Sequence, residues 1–136
     1  IFAEPNPAHL RGTRALVVVH EGRIVAERYS PGFDASMPLI GWSMTKAAVN
    51  ALVGMRIKDG AIKLDDSALM PQWQAADDPR RAITLNELMR MTSGLAFQED
   101  YGSDLSDVAQ MLFVQGNAAG FAASMRLAHP PGTNWY

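Results

Sequence analysis

The stretch GWSMTKAAVNALV, residues Gly41–Val53, combines a serine, a lysine and a strongly apolar run. It places Ser43 three positions before Lys46, and most of the positions that follow are apolar. The pattern predicts a helix over residues 43–58, which ends at Asp59-Gly60 because glycine suits the left-handed position after a helix. A helix that is apolar on most sides is typical of the centre of a domain, so we expect this helix to be buried.

Two interpretations of Ser43 and Lys46 are open. In the first, Ser43 caps the helix and Lys46 is a surface residue. In the second, Ser43 is a nucleophile and Lys46 is its base, because residues three apart share one face of a helix. A serine attacks only after its proton is removed, and burial and the positive helix end both favour the neutral lysine that could remove it. The backbone N–H of Ser43 would then stabilise the developing oxyanion.

The motif alone favours the cap. Serine is a common N-cap residue, and a two-residue match at a spacing of three arises often by chance. The helix that follows favours catalysis, because a lysine in its first turn is hard to explain as a solvent-facing side chain. Trp42, next to Ser43, is a candidate wall of the substrate pocket, with packing against the helix as the alternative.

Upstream of this helix the pattern predicts a β-hairpin. RALVVVH and RIVAERY are β-rich runs joined by Glu21-Gly22, a good two-residue turn. Leu16–Val19 is continuously apolar, which predicts a strand covered on both faces. A lone hairpin is not stable, and no later segment has a clear strand pattern.

Downstream the chain has a helical pattern. A loop-rich connection precedes ITLNELMRMTSGL, in which Thr84 and Glu87 form a predicted capping box and Gly94 is expected to end the helix. Two further helices are predicted, one from Ser106 or Asp107 to Gln115 and one over residues 118–127. The order of elements predicts a sheet-plus-helices part followed by an inserted helical part.

Composition excludes several classes of function. The chain has 136 residues, 48% of them apolar, and a net charge of −2, which gives no pull toward nucleic acid or anionic membrane. It has no cysteine, and its three histidines lack metal-ligand spacing. No apolar run is long enough to span a bilayer. Because the chain starts at Ile1 and stops at PPGTNWY, we expect it to be one piece of a longer protein.

The ordered motifs resemble a known superfamily. A two-stranded start, S-x-x-K at the head of an apolar helix, then L-D-D, then ITLNELMRMTSGL and PPGTNWY are similar to serine β-lactamases and penicillin-binding proteins. The class C branch, with its esterases and 6-aminohexanoate-dimer hydrolases, is the most similar, through PGFDASMPLIGWSMTKAAVNALVG. The resemblance implies an antiparallel sheet with helices plus an inserted helical region, here incomplete. It predicts a hairpin and nucleophile helix over residues 1–64 and a helical region over 65–136.

The resemblance also implies roles for residues. Ser43 would be the acylated nucleophile, with its backbone N–H in the oxyanion hole, and Lys46 the base or proton relay. The family's catalytic tyrosine follows a P-G-T-x-[FW] pattern, which places it directly after Tyr136. Tyr136 itself serves if the local register shifts by one. The family's K-T-G-like strand has no counterpart here, and Thr92-Ser93-Gly94 is interpreted as a helix stop, similar to a T-S-G-L in related enzymes.

The implied function is a serine hydrolase that cleaves an ester or amide, namely a β-lactam, a D-Ala peptide, an ester or a linear amide, without metal or organic cofactor. The alternative is a catalytically incomplete fragment that acts only as a folding or self-association unit. No nucleic acid and no membrane span are expected. The resemblance favours a bacterial protein that is periplasmic or secreted, with a cytoplasmic location left open.

Overall fold

The computed structural model describes residues 1–136, which form two compact units, Ile1–Ser43 and Met44–Tyr136. The predicted mixture of helices and strands is confirmed: the chain has one antiparallel two-stranded sheet and four α-helices. The predicted division into residues 1–64 and 65–136 stays a prediction.

The first unit contains the predicted hairpin. Strand β1, Ala15–His20, pairs antiparallel with β2, Arg23–Tyr29. The turn residues Glu21 and Gly22 both have positive φ, at 50° and 74°. Two consecutive left-handed residues match the right-handed twist of the flanking strands. Local turn chemistry therefore forms this hairpin, as predicted.

The prediction that β1 is covered on both faces is wrong. Val17, Val18 and Val19 are all exposed, Val19 by 60%. The sheet has only these two strands, and the first unit contains no α-helix that could pack against either face. The apolar run reflects the β-propensity of valine, and in this unit it leaves apolar surface in contact with solvent.

The apolar segment that contains Ser43 and Lys46 folds as a short 3-10 turn, Trp42–Met44, that runs into helix α1, Thr45–Lys58. The α-helix thus begins two residues later than predicted, and its N-cap is Met44, which makes no side-chain capping bond. Its end is as predicted. Gly60 has φ 72° and donates to the carbonyl of Ile57, while Ala61 donates to that of Arg56. These two bonds form a Schellman motif.

The prediction that α1 is a buried helix is wrong. None of its residues is buried, and only Val53 and Ile57 are half-buried. Its apolar side chains are spread around the whole circumference, so no single face concentrates them for packing. The core of the second unit instead forms around three buried residues from later segments, Trp73, Ile83 and Ala123.

The connection after α1 contains two 3-10 turns, Pro71–Trp73 and Pro79–Ala82. Helix α2, Leu85–Met89, then begins with the predicted capping box: Thr84 Oγ1 accepts from Glu87 N–H, and the Glu87 carboxylate accepts from Thr84 N–H at 2.7 Å. The box forms because all its partners lie within one turn of chain.

The other two helices are shorter than predicted. Helix α3, Asp107–Phe113, is capped by Ser106, whose hydroxyl accepts from Ala109 N–H. Helix α4 spans Ala118–Ser124. It stops before Leu127 because the next residues pair with another segment: Ala96 N–H donates to the carbonyl of Arg126 at 2.9 Å.

The core of the second unit is fixed by hydrogen bonds to the end of α4. Trp73 donates its indole N–H to the carbonyl of Ala123 at 2.8 Å. Arg80 donates to the same carbonyl and to that of Met125, both at 3.0 Å. The last carbonyls of a helix lack intrahelical partners, and a cation there also complements the helix dipole. The two side chains thus satisfy the end of α4.

Arg80 is held by Asp78. The Asp78 carboxylate accepts from the guanidinium of Arg80, at 2.6 Å in the shortest contact, and from its backbone N–H. The hydrogen bond from the Arg80 side chain is the main reason that the pKa of Asp78 lies below its usual value of 3.8. The carboxylate is therefore ionised in the folded chain down to a lower pH than in the unfolded chain.

This linkage predicts a pH dependence of stability. A lowered carboxyl pKa stabilises the fold above the unfolded-state pKa, and the stabilisation is lost as pH falls through the folded-state value. We expect Asp78→Asn to lower the melting temperature at pH 7, with the difference from wild type narrowing below about pH 4. Thermal unfolding between pH 7 and pH 2 measures this. Asp77→Asn, which removes the exposed neighbouring carboxylate, is the control. The difference between its melting temperature and that of the wild type should not depend on pH. A difference in melting temperature between Asp78→Asn and wild type that stays constant over this whole pH range would contradict the linkage.

Candidate active site

A cleft of about 380 Å³ in the second unit is lined in part by Lys46. Three other polar residues line it: Ser93, Glu99 and Tyr136. The remaining side chains of its wall are apolar and come from α2, α3, α4 and the segment after α2, namely Leu88, Met91, Leu95, Phe97, Met111 and Ala122. A mostly apolar cleft with a few polar groups is the usual form of a small-molecule site.

One wall of the cleft starts where α2 ends. Met91 has φ 58°, and its N–H donates to the carbonyl of Leu88, while Thr92 N–H donates to that of Glu87 at 2.8 Å. These bonds again form a Schellman motif, with Met91 at the position that usually holds glycine. The expectation that Gly94 ends this helix is therefore wrong; the helix ends at Met89, because Met91 takes the left-handed turn.

Backbone hydrogen bonds hold the last residues of the chain beside this wall. Tyr136 N–H donates to the carbonyl of Met91 at 3.0 Å, and Gly132 N–H donates to that of Thr92 at 2.8 Å. Ala128 N–H donates to Gly94, also at 2.8 Å. These bonds place Tyr136 at the cleft that contains Lys46.

Gly94 is required by this pairing. It has φ 77°, and a Cβ atom at this position would lie 2.2 Å from the carbonyl oxygen of His129. Any side chain there would push the segment after α4 away from the cleft wall. The T-S-G-L similarity was the sequence signal for this close approach, although it was interpreted only as a helix stop.

The turn before Tyr136 is also fixed locally. Pro131 and Gly132, with Gly132 at φ 80°, occupy the two central positions of a tight turn, a sequence typical of type II. Thr133 closes it, because its N–H and its hydroxyl both donate to the carbonyl of Pro130. The P-G-T part of the family pattern thus forms a turn shortly before the aromatic residues Trp135 and Tyr136.

Ser43 and Trp42 belong to the first compact unit, of which Ser43 is the last residue. Trp42 is 62% exposed and has φ 45°, an uncommon conformation for a bulky residue. The same left-handed conformation occurs at Glu21 and Met91, where it forms a hairpin turn and a helix end, so at Trp42 it marks a turn directly before Ser43. Lys46 is exposed although it lines the cleft, so its expected burial in the helix is not found.

The structure thus brings Lys46 and Tyr136 to one cleft and adds residues that the sequence did not single out. Glu99 and the apolar wall are the main additions, and Ser93, interpreted from the sequence only as part of a helix stop, also lines the cleft. The comparison with known families then decides the identity, because the beta-lactamase family matches residues 5–136. The chain belongs to the beta-lactamase family.

Membership confirms the resemblance to the superfamily of serine β-lactamases and penicillin-binding proteins, while the class C-like branch stays a prediction. The hairpin and helices of this beta-lactamase family member are consistent with part of the family fold. The family supports a serine hydrolase type of function with small-molecule substrates. A search of curated proteins found no match.

The rest of this beta-lactamase family member was searched for a metal-binding group, a membrane-spanning helix and a second cleft. No group of three or more histidine, aspartate or glutamate residues is arranged to hold a metal ion. No helix is long and apolar enough to cross a membrane. A second cleft, of about 470 Å³, is lined by Asp78 and Arg80 among others. Both side chains already have partners, since Arg80 donates to the carbonyl of Ala123 at the end of α4 and Asp78 accepts from Arg80.

Proposed function

We propose that this beta-lactamase family member is a serine hydrolase that forms an acyl-enzyme on Ser43 and cleaves an ester or amide. Lys46 acts as the base or proton relay. The observation that carries the proposal is the beta-lactamase family match, together with the position of Lys46 three residues after Ser43 in a continuous 3-10 and α-helical segment. Residues at this spacing share a face of a helix.

The proposed reaction has two steps. Lys46, in its neutral form, takes the proton of the Ser43 hydroxyl as Oγ attacks the substrate carbonyl carbon. The backbone N–H of Ser43 donates to the developing oxyanion. The leaving group takes the proton from Lys46 and departs. Water then attacks the acyl carbon, Lys46 takes a proton from this water and passes it to the Ser43 oxygen, and the acid is released.

Tyr136 is a candidate for the third polar group. The family pattern assigns the tyrosine to the position after Tyr136, and a register shift by one would assign it to Tyr136. The bond from Tyr136 N–H to Met91, together with its place in the wall of the Lys46 cleft, supports the second assignment. Trp42 stays a candidate for the outer wall of the substrate site, supported by its exposure and its position directly before Ser43.

Inactivation by a fluorophosphonate tests the proposed function. Such probes react only with an activated serine, so we expect them to abolish hydrolysis of p-nitrophenyl acetate in step with incorporation of one probe per chain. Nitrocefin, a chromogenic β-lactam, tests the β-lactam branch of the substrate range in the same assay. Hydrolysis that persists after complete incorporation, or a chain that neither hydrolyses esters nor incorporates the probe, would contradict the proposal.

The second candidate function is a non-catalytic folding or self-association unit. It is favoured by the apolar side chains that the hairpin and α1 expose, including Val19, Ile24 and Leu52. Exposed apolar patches and unpaired strand edges are typical association surfaces. This alternative predicts no incorporation of probe and a mass above that of the monomer in light scattering.

A further inference from the structure

Two methionines and two aromatic residues line the cleft of about 380 Å³ in the second unit. Met91 follows α2 and Met111 lies on α3, while Phe97 and Tyr136 supply the rings. All four belong to the second unit, as does the rest of the lining. The polarizable sulfur of methionine and the ring of an aromatic residue both make specific contacts with another aromatic ring. The lining is therefore suited to an aromatic ligand.

These four residues are accessible in the free protein. Met91 is 36% exposed and Tyr136 is more exposed still, while Met111 and Phe97 are half-buried. Groups that keep this much exposure gain burial when an apolar ligand enters. The cleft volume lies near the lower end of the range for ligand pockets, roughly 300–1,000 Å³, which suits a single ring with a short substituent.

The charges of the lining favour an uncharged ligand. Lys46 and Glu99 are its only charged side chains, and they have opposite signs. A ligand with one charge is attracted by one of them and repelled by the other. Ser93 also lines the cleft, and its hydroxyl oxygen accepts from Leu95 N–H at 3.4 Å. The hydrogen of this hydroxyl can then be donated to a polar substituent on the ring.

Met91 occupies a position that glycine usually fills at this kind of helix end. Its φ of 58° lies in the left-handed region, which costs energy for a residue with a Cβ atom. Its N–H donates to Leu88 and its carbonyl accepts from Tyr136, and glycine would keep both bonds. The backbone of this turn thus does not require the methionine side chain. What the side chain contributes is part of the cleft wall.

We propose that this cleft is an aromatic site, which binds a small uncharged ligand with an aromatic ring, and that Met91 is the residue that selects it. Met91 and Met111 contact the ring through their sulfur atoms, and Phe97 and Tyr136 pack against its face or edge. The proposal goes beyond the hydrolase reaction, because binding here involves the second unit alone and needs no acyl group on Ser43.

The test follows isotope-labelled methionine methyl groups by NMR as benzyl alcohol is added to the full chain. An aromatic ring shifts nearby methyl resonances through its ring current. The resonances of Met91 and Met111 should therefore move, and that of the exposed Met55, which lies outside the cleft, should not. Cyclohexylmethanol has the same number of carbon atoms and the same hydroxyl group without the aromatic ring, and it should bind up to about tenfold more weakly.

Met91→Gly separates binding from folding. Glycine relieves the left-handed strain, so the melting temperature should rise by a few degrees, while binding of benzyl alcohol should weaken by about tenfold. Ala68→Gly is the matched control and should leave binding unchanged, since Ala68 also has a left-handed φ, 51°, and lies outside the cleft. Met91→Leu keeps an apolar side chain of similar size without the sulfur atom, and should weaken binding of benzyl alcohol more than that of cyclohexylmethanol.

Three results would overturn this proposal: no ring-current shift at Met91 or Met111, equal affinity for the two alcohols, or a lower melting temperature in Met91→Gly, which would show that the fold requires this side chain. Fluorophosphonate labelling decides the proposed function separately. Shifts without labelling would contradict the hydrolase and keep the aromatic site, whereas labelling without shifts would contradict the aromatic site alone.

Discussion

Ser43→Ala is expected to lower the turnover of p-nitrophenyl acetate by about three orders of magnitude or more, because loss of a catalytic serine costs about as much as loss of the whole catalytic group. The variant keeps the 3-10 turn and the helix that follows, and removes only the Oγ atom that would carry the acyl group. Steady-state kinetics of the two proteins, with circular dichroism to confirm the fold, measure the effect.

Ser36→Ala is the matched control for this experiment. Ser36 lies in the same loop region before α1, and its hydroxyl donates to Asp34 at 2.6 Å, a contact within the loop. We expect this variant to retain the wild-type rate. Equal rates in wild type and Ser43→Ala would show that the activity does not depend on Ser43, and the proposed nucleophile would then be wrong.

Trp73→Ala is expected to have the largest effect on stability, a loss of about 3–5 kcal/mol in the free energy of unfolding. Trp73 is only 1% exposed and is the largest buried side chain of the core. Its removal leaves a cavity beside Ile83 and also deprives the carbonyl of Ala123 of its indole donor. Because small domains are stable by only about 5–15 kcal/mol, much of the second unit should then unfold near physiological temperature.

Urea unfolding of Trp73→Ala and Trp135→Ala measures this effect. Trp135 is 73% exposed, so the same substitution there should change the unfolding free energy by less than about 0.5 kcal/mol. Trp73→Phe separates the two contributions, since it keeps an aromatic ring and removes the N–H. If the two alanine variants unfold at the same urea concentration, Trp73 is not the centre of the core.

Local features of the fold were predictable from the sequence. The hairpin follows from the turn at Glu21-Gly22, and the capping box from Thr84 and Glu87, because in each case all the partners lie within a few residues. Burial was not predictable in the same way. Apolar runs in β1 and α1 predicted covered elements, but coverage depends on which distant segments pack against them, and the core formed elsewhere.

In the candidate site, too, the local features were predictable from the sequence and the long-range features were not. The spacing of Ser43 and Lys46 is local, so a single helical segment was enough to suggest a nucleophile and its base. The cleft around Lys46 depends on backbone bonds between segments that are far apart in sequence, such as Tyr136 to Met91. No periodicity encodes those bonds. Thr92-Ser93-Gly94 was interpreted only as a helix stop, and the need for glycine at Gly94 is visible only in the structure.

The most direct test of the central claim is the location of the acyl group on the chain. The protein is mixed with a slowly released substrate such as a β-lactam or an activated ester, quenched in acid and digested with trypsin. Ser43 lies in the peptide of residues 29–46, whereas Ser93, the serine that lines the Lys46 cleft, lies in the peptide of residues 91–126. We predict that the added mass is found in the first peptide and, after fragmentation, on Ser43. An adduct in the second peptide, or steady turnover with no adduct on either, would contradict Ser43 as the nucleophile.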